Sequence, residues 1–137
     1  MCGILGIISK GDVSKYHHKF EDGLHAMAHR GPDHCKKISF QNAMLGYVRL
    51  AVRGLSEQYQ QPITIGDDFY AFGNGEVYSE NGIPVNDTQN DLYGLIESVF
   101  LGDKDIYKRF DADFAICCYD RKVNRVYIGR DVWGVKP

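Results

Sequence analysis

A chain of 137 residues can bury a real core as one domain, and its 16 Lys and Arg against 18 Asp and Glu leave a net charge of −2 with both signs mixed along it. That balance excludes non-specific nucleic-acid binding and attraction to an anionic membrane surface. No apolar run approaches a membrane span, and MCGILGIISKGD lacks the basic start of a signal peptide.

Residues 2–9 form a short apolar run with two glycines, and predict a strand buried on both faces. Val13, Tyr16, Phe20, Leu24 and Met27 then recur at spacings of three and four, one face of a helix with Asp12 as N-cap. Pro32 stops that helix near His29. A short strand over 36–41 precedes a clearer one over 43–52, where Met44, Val48, Leu50 and Val52 alternate with Leu45, Tyr47 and Arg49. Residues 57–62 are a polar loop. Residues 68–78 predict two short strands broken at Gly73-Asn74-Gly75, a stretch rich in turn formers. Thr88 and Asp91 have capping-box spacing ahead of a helix whose apolar face is Leu92, Leu95, Ile96, Val99 and Phe100, with Gly102 as its stop. Two more strands follow over 114–119 and 125–129. Strands that follow one another without helices between them predict antiparallel pairing and an α+β layered fold.

The 4 cysteines, Cys2, Cys35, Cys117 and Cys118, form neither a disulfide framework nor a paired zinc motif, which points to a reducing, cytoplasmic setting. His18, Asp22, His25 and His29 share one helical stripe, but the stripe reads as a solvated polar face; no metal and no cofactor are expected. Cys2 carries the distinctive chemistry. Removal of Met1 would leave its α-amine free, with a reference pKa of about 8. A neutral amine beside a thiol serves as its general base, so one residue supplies both nucleophile and base.

Further motifs accompany Cys2: MCGILGI at the start, His29-Arg30-Gly31-Pro32-Asp33, Gly46-Tyr47-Val48-Arg49-Leu50, Gln61-Pro62, Asn74-Gly75-Glu76-Val77-Tyr78, Asp113-Phe114-Ala115-Ile116, and Gly129-Arg130-Asp131 through Pro137. In this order they resemble the glutaminase domain of class II glutamine amidotransferases, most closely that of asparagine synthetase. The resemblance covers 1–137 as a single glutaminase domain and implies the four-layer αββα sandwich of N-terminal-nucleophile hydrolases. It implies hydrolysis of the glutamine side-chain amide to glutamate and ammonia. Cys2 is then the nucleophile, and the Asn74 side chain and Gly75 N–H stabilise the oxyanion. Arg49 takes the substrate carboxylate, and Leu50 and Glu76 line the substrate pocket. The motif around His29 to Asp33 is expected to shape the site, and Arg130 and Asp131 to form an internal ion pair.

Departures from the family pattern narrow this reading. Gln89 stands where the family has an Asp for the substrate ammonium. Losing that charge weakens binding by roughly one to two orders of magnitude. Asp91, two residues on, can compensate or simply cap the helix. Tyr47, Ser79 and Ala112 replace a His, an Asn and a Gly. The family domain continues past the last motif with more strands, so the chain reads as truncated or as a compact form. No pyrophosphatase loop is present, and released ammonia would need an acceptor synthetase subunit or domain. A homo-oligomer is compatible with all of this. Two alternatives stay open: a relic with impaired catalysis that acts as a binding or regulatory module, and an amidase for another amide, with Gln89 reading a neutral group.

Overall fold

The computed structural model describes residues 2–52, 59–85 and 90–137. The chain divides into two compact units, Met1–Leu55 and Ser56–Pro137. Each is an antiparallel sheet with helical residues packed against it, so the α+β class is as expected.

The first unit contains β1 (Gly3–Ile8), α1 (His17–Met27), β2 (His34–Ser39) and β3 (Ala43–Arg49), with sheet order β1-β3-β2. The central position of β3 explains why all of its residues are buried. The expectation that β1 is buried on both faces is corrected. It is an edge strand, and Gly6 and Ile8 are exposed because β3 takes the middle of the sheet. The helical periodicity holds. Val13, Tyr16, Phe20, Leu24 and Met27 pack with Leu5, Ile7, Met44 and Val48 in one cluster. Fully burying one such side chain contributes about 1.5–3 kcal/mol, so Phe20 and Leu24 are the main anchors of α1. Asp12 Oδ1 accepts the Ser14 N–H at 2.8 Å, but it opens a 3-10 turn over Ser14–Tyr16, and the α-helix starts only at His17. A second 3-10 turn, Ala28–Arg30, closes the helix, and there the His29 Nδ1 bonds the Ala26 carbonyl at 2.9 Å. β3 ends at Arg49, short of the expected 52, and Val52 is exposed.

The second unit contains β4 (Ile63–Ile65), β5 (Phe69–Glu80), β6 (Ile83–Pro84), α2 (Tyr93–Phe100), α3 (Ile106–Arg109), β7 (Phe110–Asp120) and β8 (Arg125–Arg130). The main sheet order is β4-β5-β7-β8, with β6 beside β5. Leu92, Leu95 and Ile96 pack with Ile63, Val77, Phe110, Phe114 and Ile116, which places α2 on this sheet. Thr88 lies outside the described residues, so the proposed capping box is not visible. The Leu92 N–H instead has Asn90 Oδ1 and Asp91 Oδ1 as acceptors, each at 3.1 Å. β4 and α3 are too short to show a hydrophobic period. Cys117 and Cys118, adjacent on β7, point to opposite faces, and burial pushes the Cys118 thiol up to about 12.

The largest correction concerns Gly73-Asn74-Gly75. These residues form no turn. β5 runs unbroken for 12 residues, and Gly73, Asn74 and Gly75 stand opposite Ile116, Ala115 and Phe114 of β7. The long apolar partner strand overrides the local turn preference of these residues.

Candidate functional site

The residues singled out in the first unit converge at one end of its sheet. The 29–33 motif is packed against the end of β3. A Cβ on Gly31 would lie 2.4 Å from the Arg49 nitrogen and 2.4 Å from the Val48 carbonyl carbon, so no other residue fits there. The Asp33 N–H donates to the Arg49 carbonyl at 3.0 Å, and Asp33 Oδ2 accepts the Ala51 N–H at 2.7 Å. Asp33 thus fixes the backbone on both sides of Leu50. Arg30 reaches the other way, and its Nε and Nη2 each donate to the Cys2 carbonyl at 3.4 Å. The Cys2 thiol faces the Leu50 carbonyl, with an Sγ–O distance of 3.7 Å.

The register explains this convergence. Gly3 pairs with Val48, so continuing the antiparallel ladder by one step sets Cys2 beside Arg49. Gly3 and Val48 face α1, since a Cβ on Gly3 would meet both Val48 and the Met27 sulfur. Cys2 and Arg49 therefore belong to the opposite face. Arg49 is buried at 8% exposure. This sets it apart from the usual surface arginine, because a buried guanidinium requires hydrogen-bonding partners.

In the second unit the order of hydrogen bonds along β5 singles out one backbone group. Phe114 stands opposite Gly75, but its N–H and carbonyl bond Asp131 instead, at 3.3 Å to Oδ2 and 2.8 Å from the Asp131 N–H. The pair therefore exchanges no hydrogen bonds, and the Gly75 N–H points to the outer edge of β5. Ala71 on that edge faces Ile63 of β4. Gly73 is matched by the buried Gln61 side chain: Oε1 accepts the Gly73 N–H at 2.6 Å and Nε2 donates to the Gly73 carbonyl at 2.9 Å. The Val77 N–H donates to Asp91 Oδ2 at 3.2 Å. Between these, the Gly75 N–H has no hydrogen-bond acceptor among the described residues. A Cβ on Gly75 would lie 2.3 Å from the Asp113 carbonyl oxygen, so the position admits only glycine.

Asn74 and Glu76 flank Gly75, and all three are half-buried. The Asp91 carboxylate sits at the start of α2. Burial pushes its carboxyl above the usual range, and the Glu76 charge adds to this against the Val77 and Leu92 N–H bonds. Asp91 is thus more than a helix cap, because it ties α2 to the β5 segment just after Glu76. Gln89 lies outside the described residues. The expected residues therefore form two groups. Cys2, Arg49 and Leu50 converge in the first unit. Asn74, Gly75 and Glu76 are consecutive in the second, with Asp91 beside them.

A glutamine amidotransferase domain model matches residues 1–137. The chain belongs to the glutamine amidotransferase domain family. Among curated relatives, the glutamine-hydrolysing asparagine synthetase 1 of Saccharomyces cerevisiae is 32% identical, over 98% of this chain and 25% of its own length. A probable glutamine-hydrolysing asparagine synthetase of Dictyostelium discoideum is 31% identical over 100% of this chain and 26% of its own length. Asparagine synthetase 3 of Bacillus subtilis is 26% identical over 100% and 24%. The chain thus spans about a quarter of the length of these relatives.

Within this amidotransferase domain, two roles escaped the reading from residues alone. Gln61 acts as a substitute strand for Gly73, and Arg30 clamps the Cys2 carbonyl. Both belong to motifs that were visible, but their partners are 12 and 28 residues away and no local pattern names them. The expected Arg130–Asp131 ion pair is absent among the described residues. The Asp131 carboxylate instead accepts the N–H groups of Phe114, Val135 and Lys136. Burial opposes that charge, but the backbone donors outweigh it and hold the carboxyl below its usual range. No described helix is long and apolar enough to cross a membrane.

Proposed function

We propose that the chain hydrolyses the side-chain amide of glutamine, with Cys2 as the nucleophile. The observation that supports this best is the N–H of Gly75, held in mid-strand with no acceptor among the described residues. A half-buried backbone donor with no acceptor among the described residues is available to a ligand, and an oxyanion that forms during the reaction would use it. Once Met1 is removed, the α-amine of Cys2 takes the thiol proton and the thiolate attacks the amide carbon. The Asn74 side-chain N–H and the Gly75 N–H stabilise the oxyanion. Its collapse expels ammonia, protonated by the α-ammonium, and leaves a glutamyl thioester. Water then releases glutamate and restores the thiol.

Arg49 holds the substrate carboxylate through its planar fork. Leu50 positions its carbonyl near the nucleophile, Glu76 lines the amide end, and Gln89 with Asp91 receives the substrate ammonium. The fold type we favour is the four-layer αββα sandwich over residues 1–137, supported by a helix-covered face on each sheet. Since the relatives are named as asparagine synthetases, the ammonia acceptor is a synthetase domain or subunit, and the cysteine usage supports a reducing, cytoplasmic setting.

A relic with impaired turnover is the second reading, and Gln89 in place of an acid favours it. One experiment separates the two. Intact mass fixes the N-terminal residue, and glutamate release is followed beside Cys2→Ala. Turnover that requires a free Cys2 is expected. A free Cys2 with no turnover at high glutamine overturns the catalytic reading.

A further inference from the structure

The end of the first sheet holds one more group. His34 of β2 is the direct cross-strand partner of Arg49, so both side chains leave the same face of the sheet. Continuing the β1–β3 ladder adds Cys2, and Cys2, Arg49 and His34 then form one row across the three strands. His34 Nε2 is buried and has no hydrogen-bond partner, and it is the one such side-chain atom found among the described residues. Buried polar side-chain atoms are mostly satisfied, and an exception calls for a reason. Packing is a weak reason here, because a neutral apolar side chain would fill the same space without the desolvation cost of an unpaired nitrogen.

We propose that His34 is a second binding residue for the substrate carboxylate, donating from Nε2–H beside the Arg49 fork. The inference rests on the glutamine reading above. A carboxylate has about four lone-pair sites and one guanidinium fork uses two of them, so a further donor in the same row has an acceptor to serve. The neutral imidazole with the proton on Nε2 is sufficient.

The test measures glutamate release and calorimetric glutamine binding for the wild type, His34→Ala and His34→Gln. It uses glutamine and glutamine α-amide, in which a neutral amide replaces the carboxylate. His34→Ala is expected to raise KM and Kd for glutamine about tenfold, the worth of one hydrogen bond to a charged group, with kcat held within about twofold. The donor in His34→Gln is expected to recover most of the affinity. With the α-amide, the wild type and His34→Ala should differ far less. An unchanged KM in His34→Ala, or an equal loss on both substrates, overturns the proposal. If the wild type binds glutamine without hydrolysing it, the catalytic reading falls and the calorimetric comparison still decides the role of His34. If the wild type does neither, both fall together.

Discussion

The Gln61 side chain hydrogen-bonds both the N–H and the carbonyl of Gly73, standing in for one residue of a missing strand. β4 covers the outer edge of β5 only as far as Ala71, and Gln61 extends that cover by a single pair. The ladder stops there, so the next outward N–H, that of Gly75, has no acceptor among the described residues. The relationship ties a structural motif to the candidate oxyanion site.

Gln61→Ala removes both bonds and leaves the two buried Gly73 groups unpaired. Each unsatisfied buried group costs about 1–3 kcal/mol, so a loss of several kcal/mol is expected. Urea denaturation reads it. A loss under about 1 kcal/mol would show that the Gly73 groups find other partners.

Gly75→Ala is expected to damage the protein through sterics alone, because its methyl would sit 2.3 Å from the Asp113 carbonyl oxygen. β5 and β7 would have to part at that point. Stability should fall by at least about 1–3 kcal/mol, the usual cost of overpacking, and glutamate release should fall by about 10² or more. Circular dichroism melts and the hydrolysis assay read the two effects. A variant that keeps wild-type stability would refute the close approach.

The carboxylate of Asp131 has a clear pH signature. Its folded pKa lies below the usual range, so the stability it contributes is present above the unfolded value of about 3.9 and is lost as pH falls through the folded value. Burial raises the Asp91 pKa, and that group works in the opposite sense: its charge costs stability near neutral pH and protonation relieves the cost. Comparing wild type with Asp131→Asn isolates the first group. Asp131→Asn should be less stable at pH 7, and the gap should narrow as pH drops below about 4. A gap independent of pH would show that the ionised form has no special role.

Gln89→Asp restores a formal charge for the substrate ammonium. A charge-assisted contact is roughly twice as strong as a neutral one, so KM for glutamine should drop about ten- to a hundredfold. Steady-state glutamate release measures this. No change in KM would mean that Asp91 already serves the ammonium, and Asp91→Asn would then raise it.

Local pattern alone fixed the parts of this fold that depend on side-chain periodicity. The apolar faces of α1 and α2 and the strand that starts at Ala43 followed from spacings of three, four and two, because those spacings are set by backbone geometry within one element, and the strand over 114–119 followed from its apolar run. The motif order from Cys2 to Pro137 likewise sufficed to identify the amidotransferase family. Tertiary structure decided what depends on partners distant in sequence. Asn74-Gly75 looks like a hairpin turn in isolation, and only the pairing with β7 holds it extended. The middle of the first sheet went to β3, which left β1 at the edge. Asp131 took backbone donors in place of Arg130, and His34 came to lie opposite Arg49. Strand pairing and buried hydrogen bonds join residues far apart along the chain, and no local period encodes which ones meet.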